Sequence, residues 1–143
     1  MRTLIFKILL GFVMLGASRA ADDSTVRPPV SKTDLLIIQR AGRILSSEAV
    51  WNRTDDRIYR PDATTFSLYT AIEKATLDVG GKFAHRDAAM QEARFAVEEI
   101  APKKNYAHRL MDYNNDPATT FADIKHVIAL TEARIVNRLK REK

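Results

Sequence analysis

The chain has 143 residues, 45% hydrophobic and 29% charged, a balance suited to one soluble globular domain. It contains no Cys, which excludes disulfides, Cys-ligated zinc, iron–sulfur clusters, thiol catalysis and a lipidated N-terminal Cys. The formal charge is +5 and the pI about 9.6, but that excess sits at the two ends of the chain, so a basic nucleic-acid binder is not expected.

Met1 to Ala20 read as a secretory signal peptide, with Arg2 and Lys7 ahead of the uncharged run Ile8–Ala17. Ser18-Arg19-Ala20 supplies the small residues a signal peptidase reads, which places cleavage after Ala20. A run of ten apolar residues is short against the ~20 that a spanning helix needs, and no second long run follows. The mature protein is therefore expected to be exported, to a periplasm or beyond, and not to span a membrane. The leader carries three of the 23 basic residues and no acid, which leaves 20 bases against 18 acids, a net of +2. Five of those bases (Arg134, Arg138, Lys140, Arg141, Lys143) fall in the last ten residues, beside Glu142. Cations there suit the negative end of a helix dipole, and also an anionic lipid or an acidic partner.

Residues 21–32, with Pro28-Pro29, are expected to form an extended, mobile lead. Helix one follows, capped by Thr33 or Asp34. Leu35, Ile38, Ala41, Leu45 and Ala49 recur every three or four residues, with Ile37 and Ile44 beside them. Trp51 closes it as a lid over the core. Asn52–Asp62 is a polar connection in which Ile58 and Tyr59 are expected to dock. Helix two is expected over about Thr65–Asp78, with Phe66, Tyr69 and Ile72 on its apolar face and Gly80-Gly81 stopping it. Helix three spans about Asp87–Ala101 on Met90, Ala93, Val97 and Ile100, and Pro102 ends it. Residues 103–112 hold one short helical turn, and Asp112–Pro117 reads as a loop. Helix four starts at Thr120, where Asp123 completes a capping box, and repeats Ile124, Ile128, Thr131, Ile135 and Leu139. No segment alternates like a strand. The fold expected is all-α, a four-helix bundle with at most one short extra helix.

Asp112, Asn114 and Asp116 stand at positions one, three and five of a twelve-residue calcium loop, with Asp123 at position twelve. Pro117 occupies the sixth position, where such loops place a glycine with positive φ that proline cannot adopt. His85, His108 and His126 have no helical zinc spacing. No hydrolase signature or phosphate-binding glycine loop is present. Glu98 and Glu99 point about 100° apart on a helix and read as a solvated pair. No catalytic residue, cofactor or metal is assigned.

Trp51, the stretch Ser67-Leu68-Tyr69-Thr70-Ala71-Ile72, and Tyr113-Asn114-Asn115 followed by Thr120 and Ile124 carry a resemblance. The chain resembles a family of small, uncharacterised, mostly bacterial helical domains with a Trp, a Cys-x-x-Gly-Ala-Leu helix start and a Trp-Asn-Asp turn. The likeness covers about residues 34–135. Ser67 stands for the Cys, Thr70 for the Gly, Tyr113 for the second Trp and Asn115 for the Asp, so a role resting on that thiol or carboxylate does not transfer. The resemblance implies a helical fold and no particular activity. The same residues also have a packing explanation: a small residue for close helix approach, an aromatic filler, and Asn holding a turn.

The reading expected of these features is an exported non-catalytic module of inhibitor or immunity type, gripping a protein through a helical face and the Asn52–Asp62 loop. Its motif residues are Trp51, Tyr59, Ser67, Tyr69, Thr70, Tyr113, Asn114 and Asn115. One alternative is a small-ligand or lipid-binding bundle with Trp51, Tyr69 and Tyr113 lining one pocket. Another is a hydrolase pairing Ser67 or Asp116 with His85 or His108, which requires those groups within hydrogen-bond reach.

Overall fold

The computed structural model describes residues 27–142, so the expected leader and residues 21–26 of the lead lie outside the described residues. Those described form five α-helices and no strand: α1 (Lys32–Ile44), α2 (Leu68–Gly80), α3 (Ala88–Ile100), α4 (Arg109–Asn115) and α5 (Phe121–Arg141). Helix α1 lies between α2 and α5, α3 packs along α5, and the short α4 rests on α2 and α3. None of these helices is long and apolar enough to cross a membrane.

Each start follows from local chemistry. Ser31, rather than Thr33 or Asp34, caps α1, and Asp34 closes its capping box. Asp34 also reaches across to α3, where its Oδ1 accepts the Ala89 amide at 3.1 Å. One carboxylate thus serves two helix N-termini, and Asp87, the residue before α3, makes no side-chain cap bond. Ser67 and Thr70 form the box that opens α2, two to three residues later than the pattern of apolar residues suggested. Gly81, at φ 69°, closes α2 in the left-handed region where glycine is unstrained. Thr120 and Asp123 open α5 as expected.

Helix one is shorter than its stripe implied. It ends at Ile44, Ala49 is exposed, and residues 48–50 form a separate 3₁₀ turn leading to Trp51. The ammonium of Lys125 on α5 donates to the Gly42 and Leu45 carbonyls at 3.0 and 3.2 Å and satisfies the end of α1. Gly42 sits where a Cβ would stand 3.2 Å from the Ile128 side chain, so its small size sets the approach of α1 to α5.

The core joins Ile37, Ile38 and Ala41 of α1 to Leu68 and Ile72 of α2. It continues through Met90, Ala93 and Val97 of α3 to Ile124, Val127, Ile128 and Ile135 of α5. Buried within it is Glu92, whose carboxyl oxygens accept from Arg134 Nε at 3.0 Å and Arg138 Nη1 at 2.8 Å, so two guanidiniums satisfy it. Glu99 pairs with Arg134 and Glu98 with Arg109 at the exposed edge. The last part of the lead is tied down: Val30 is buried, and Arg138 Nη2 donates to the Pro28 carbonyl at 3.0 Å.

Candidate functional site

Between Trp51 and Leu68 the chain leaves the helices for a long loop. Its ends are held together by a single parallel bridge, in which the Asn52 amide donates to the Phe66 carbonyl at 2.9 Å and the Phe66 amide to the Val50 carbonyl at 2.8 Å. The side chain of Asn114, on α4 and fully buried, then organises the junction. Its Oδ1 accepts from Trp51 Nε1 at 2.8 Å and from the Leu68 amide at 3.0 Å. Its Nδ2 donates to the Asn52 carbonyl at 3.0 Å and to Asn115 Oδ1 at 3.1 Å. Next to it, Asn115 grips both backbone groups of Asp55: Oδ1 accepts the amide at 2.7 Å and Nδ2 donates to the carbonyl at 2.9 Å. Two adjacent amide side chains thus substitute for the backbone pairing a strand would have supplied.

Beyond this clamp the loop holds its own turns. Asp55 Oδ1 accepts the Arg57 amide at 2.8 Å, Asp56 Oδ1 accepts the Ile58 amide at 3.0 Å, and Arg60 pairs with Asp56 at 2.7 Å. Arg57 adopts a positive φ of 58°, uncommon for a side chain of its size, and its guanidinium lies 3.2 Å from His108 Nδ1. Arg53 stacks over Trp51 and donates to the Thr119 carbonyl at 3.0 Å, tying the loop to the α4–α5 connection. Ile58 does not dock in the core as expected; it is 56% exposed and borders the cavity under the loop, while Tyr59 is half-buried.

A cavity of about 320 Å³ lies under the loop, lined among others by Asp55, Tyr59, Phe66 and Thr70. Burial pushes the Asp55 carboxyl above its ordinary value, against the pull of the Arg57 amide and the nearby Ser67 hydroxyl. Its Oδ2 is buried and makes no hydrogen bond of normal geometry. Burial and the Asp55 charge together also raise Glu73.

The residues singled out from sequence are brought together only in part. Trp51, Ser67, Thr70, Asn114 and Asn115 converge at the loop base, and their polar atoms are taken up by the clamp and the α2 capping box. The three rings expected to line one pocket are separate. Trp51 packs on Phe121 at 6.0 Å, Tyr69 on Phe83 at 6.2 Å, and Tyr113 on Tyr106 at 6.3 Å. Ser67 bonds to Thr70, and the His85 ring to Tyr69 Oη and Arg94. Asp116 accepts from Lys104, Tyr106 and the Ala118 amide. These bonds hold Asp116 down at about 2 and, with burial as the larger cause, push Tyr106 up to about 12. None of the hydrogen bonds among the described residues joins Ser67 or Asp116 to His85 or His108, as a primed hydrolase dyad requires.

The calcium spacing dissolves for a related reason. Asp112 and Asn114 lie inside α4, not in a loop, and Asp112 Oδ2 accepts the His108 amide at 2.8 Å. Asp123 closes the α5 capping box. Among the described residues no group of three or more acids or histidines is placed to hold a metal ion.

Sequence reasoning missed the double use of Asp34, the buried Glu92 cluster and the Asn115 grip on Asp55. The last had a signal in Asn114-Asn115 at a helix end, but no local pattern names a partner sixty residues away. No curated protein and no solved structure matches this chain. Residues 29–134, which carry the clamp, the loop and most of the helices, match the family of unknown function DUF6197, and the chain belongs to that family.

Proposed function

We propose that this protein is an exported, non-catalytic binding domain of inhibitor or immunity type that grips a protein partner through its Asn52–Asp62 loop. We read its frame as a four-helix bundle of α1, α2, α3 and α5, with α4 added to hold that loop. The supporting observation is Ile58, a large aliphatic side chain 56% exposed on a loop held from beneath by Asn114 and Asn115. A loop already fixed in one shape loses little conformational freedom on binding, and an exposed aliphatic side chain flanked by the exposed Arg57 and Arg60 offers an anchor with a charged rim. Of the motif residues, Trp51, Ser67, Thr70, Asn114 and Asn115 are consumed in building this support, so they act through the loop's shape and not by touching a partner.

Capture from an envelope extract tests the reading. The wild-type protein should retain a partner that Ile58→Asp loses, with the helical circular dichroism of the two proteins equal. Capture of the same proteins by both would refute the loop as the binding surface.

A further inference from the structure

At the end of the molecule away from the loop, the start of α1 and the close of α5 leave an open groove of about 410 Å³ lined by Leu35, Leu36, Val136 and Leu139, with Lys32 and Lys140 as its other walls. Leu36 protrudes, 51% exposed. Both lysines are exposed, as is the neighbouring Arg141, and no carboxylate among the described residues pairs with any of the three. Among the described residues no acid lines the groove; Glu132, one turn from Val136, is held by Gln39 Nε2 at 2.8 Å.

We propose that this lysine-flanked apolar groove seats the protein on a membrane surface of anionic lipid headgroups. Aliphatic side chains at the centre with ammonium groups beside them are the arrangement that lets a protein lie in the interface, apolar atoms among acyl chains and charges among phosphates. The groove lacks what a specific protein interface uses at its centre: it has no aromatic anchor and no carboxylate to fix a register. A second copy of this chain across a two-fold axis would set Lys32 and Lys140 against like charges. The orientation is also coherent. Val136 lies fifteen residues along α5 from Phe121, which packs on Trp51 at the loop base, so roughly 22 Å of helix separates the seat from the loop. Docked through the groove, the domain holds Ile58 away from the membrane.

Cosedimentation of the protein as isolated from cells with vesicles of phosphatidylglycerol, and separately of phosphatidylcholine, tests this. Binding should be at least about tenfold tighter to phosphatidylglycerol and should weaken as salt is raised. Leu36→Asp and the pair Lys32→Glu with Lys140→Glu should each lower it by about tenfold or more, with unchanged circular dichroism, because these side chains are exposed. Ile58→Asp, at the other end, should leave it unchanged. Equal binding by the wild-type and groove variants, or no binding to phosphatidylglycerol, would overturn the proposal. So would a finding that the groove variants instead dissociate a dimer or release a bound protein.

Discussion

The base of the loop and the groove at the far end of the molecule treat their side chains in opposite ways. At the loop end, polar side chains are drawn inward and used up: Asn114 makes four hydrogen bonds, and Asn115 holds both backbone groups of Asp55. At the groove end, Leu36 stands half-exposed in a groove it shares with Lys32 and Lys140, with which no carboxylate among the described residues pairs. Where polar groups are buried their loss should be destabilising; where apolar groups are exposed their loss should leave the fold unharmed and change only what it binds.

Asn114→Ala is expected to have the largest effect. It strands the Trp51 indole N–H and the Leu68 amide in a buried site and the Asn52 carbonyl in a partly buried one, and the destabilisation should be about 3–5 kcal/mol by denaturant titration. A loss under about 1 kcal/mol would mean that water readily replaces the amide. Next comes Glu92→Ala, which leaves Arg134 and Arg138 without their shared buried partner and should lower stability by about 3 kcal/mol in the same titration. Thr120→Ala should remove about 1 kcal/mol by deleting the α5 cap. Leu36→Asp should change stability by no more than about 0.5 kcal/mol, the contrast that separates the two ends.

The pH dependence sharpens the same comparison at the loop end. Folded Asp55 holds its proton more tightly than the unfolded chain does, so its protonation stabilises the fold. That contribution is complete below the ordinary value of 3.8 and is lost as pH rises through the higher folded value. Asp116 has the opposite sign: its contribution is present above 3.8 and is lost as pH falls toward about 2. In unfolding midpoints measured across acid pH, Asp55→Asn should therefore remove a fall in stability with rising pH, and Asp116→Asn a fall with decreasing pH. A matching change of slope in both variants would contradict these assignments.

Much of the frame was legible because its signals are local. The Thr120 box, the Gly80-Gly81 stop and the Ile124-to-Ile135 stripe each lie within a few turns of what they determine. The end of α1 was misplaced because the apolar spacing runs on to Ala49, whereas Lys125, eighty residues later, takes the carbonyls that end it. Ser67 stood in the resemblance as the replacement for a cysteine, yet with Thr70 it is a capping box, a signal that Ser-x-x-Thr carries only weakly. The clamp was hardest to read. Asn114 and Asn115 read as turn residues, but they lie in the last turn of α4 and hold a loop distant in sequence, so their role emerges only once the helices have packed.

Amide hydrogen exchange of the free protein, followed residue by residue through the loop, is the most direct test of whether the support precedes any partner. If Asn114 and Asn115 hold the loop as described, the Asn52, Asp55 and Phe66 amides exchange slowly, and Asn115→Ala speeds Asp55 while the core of α5 stays protected. Rapid exchange of the Asp55 amide in the unaltered protein, at the rate of an open chain, would show that the loop is not held and that Ile58 has no fixed position from which to bind.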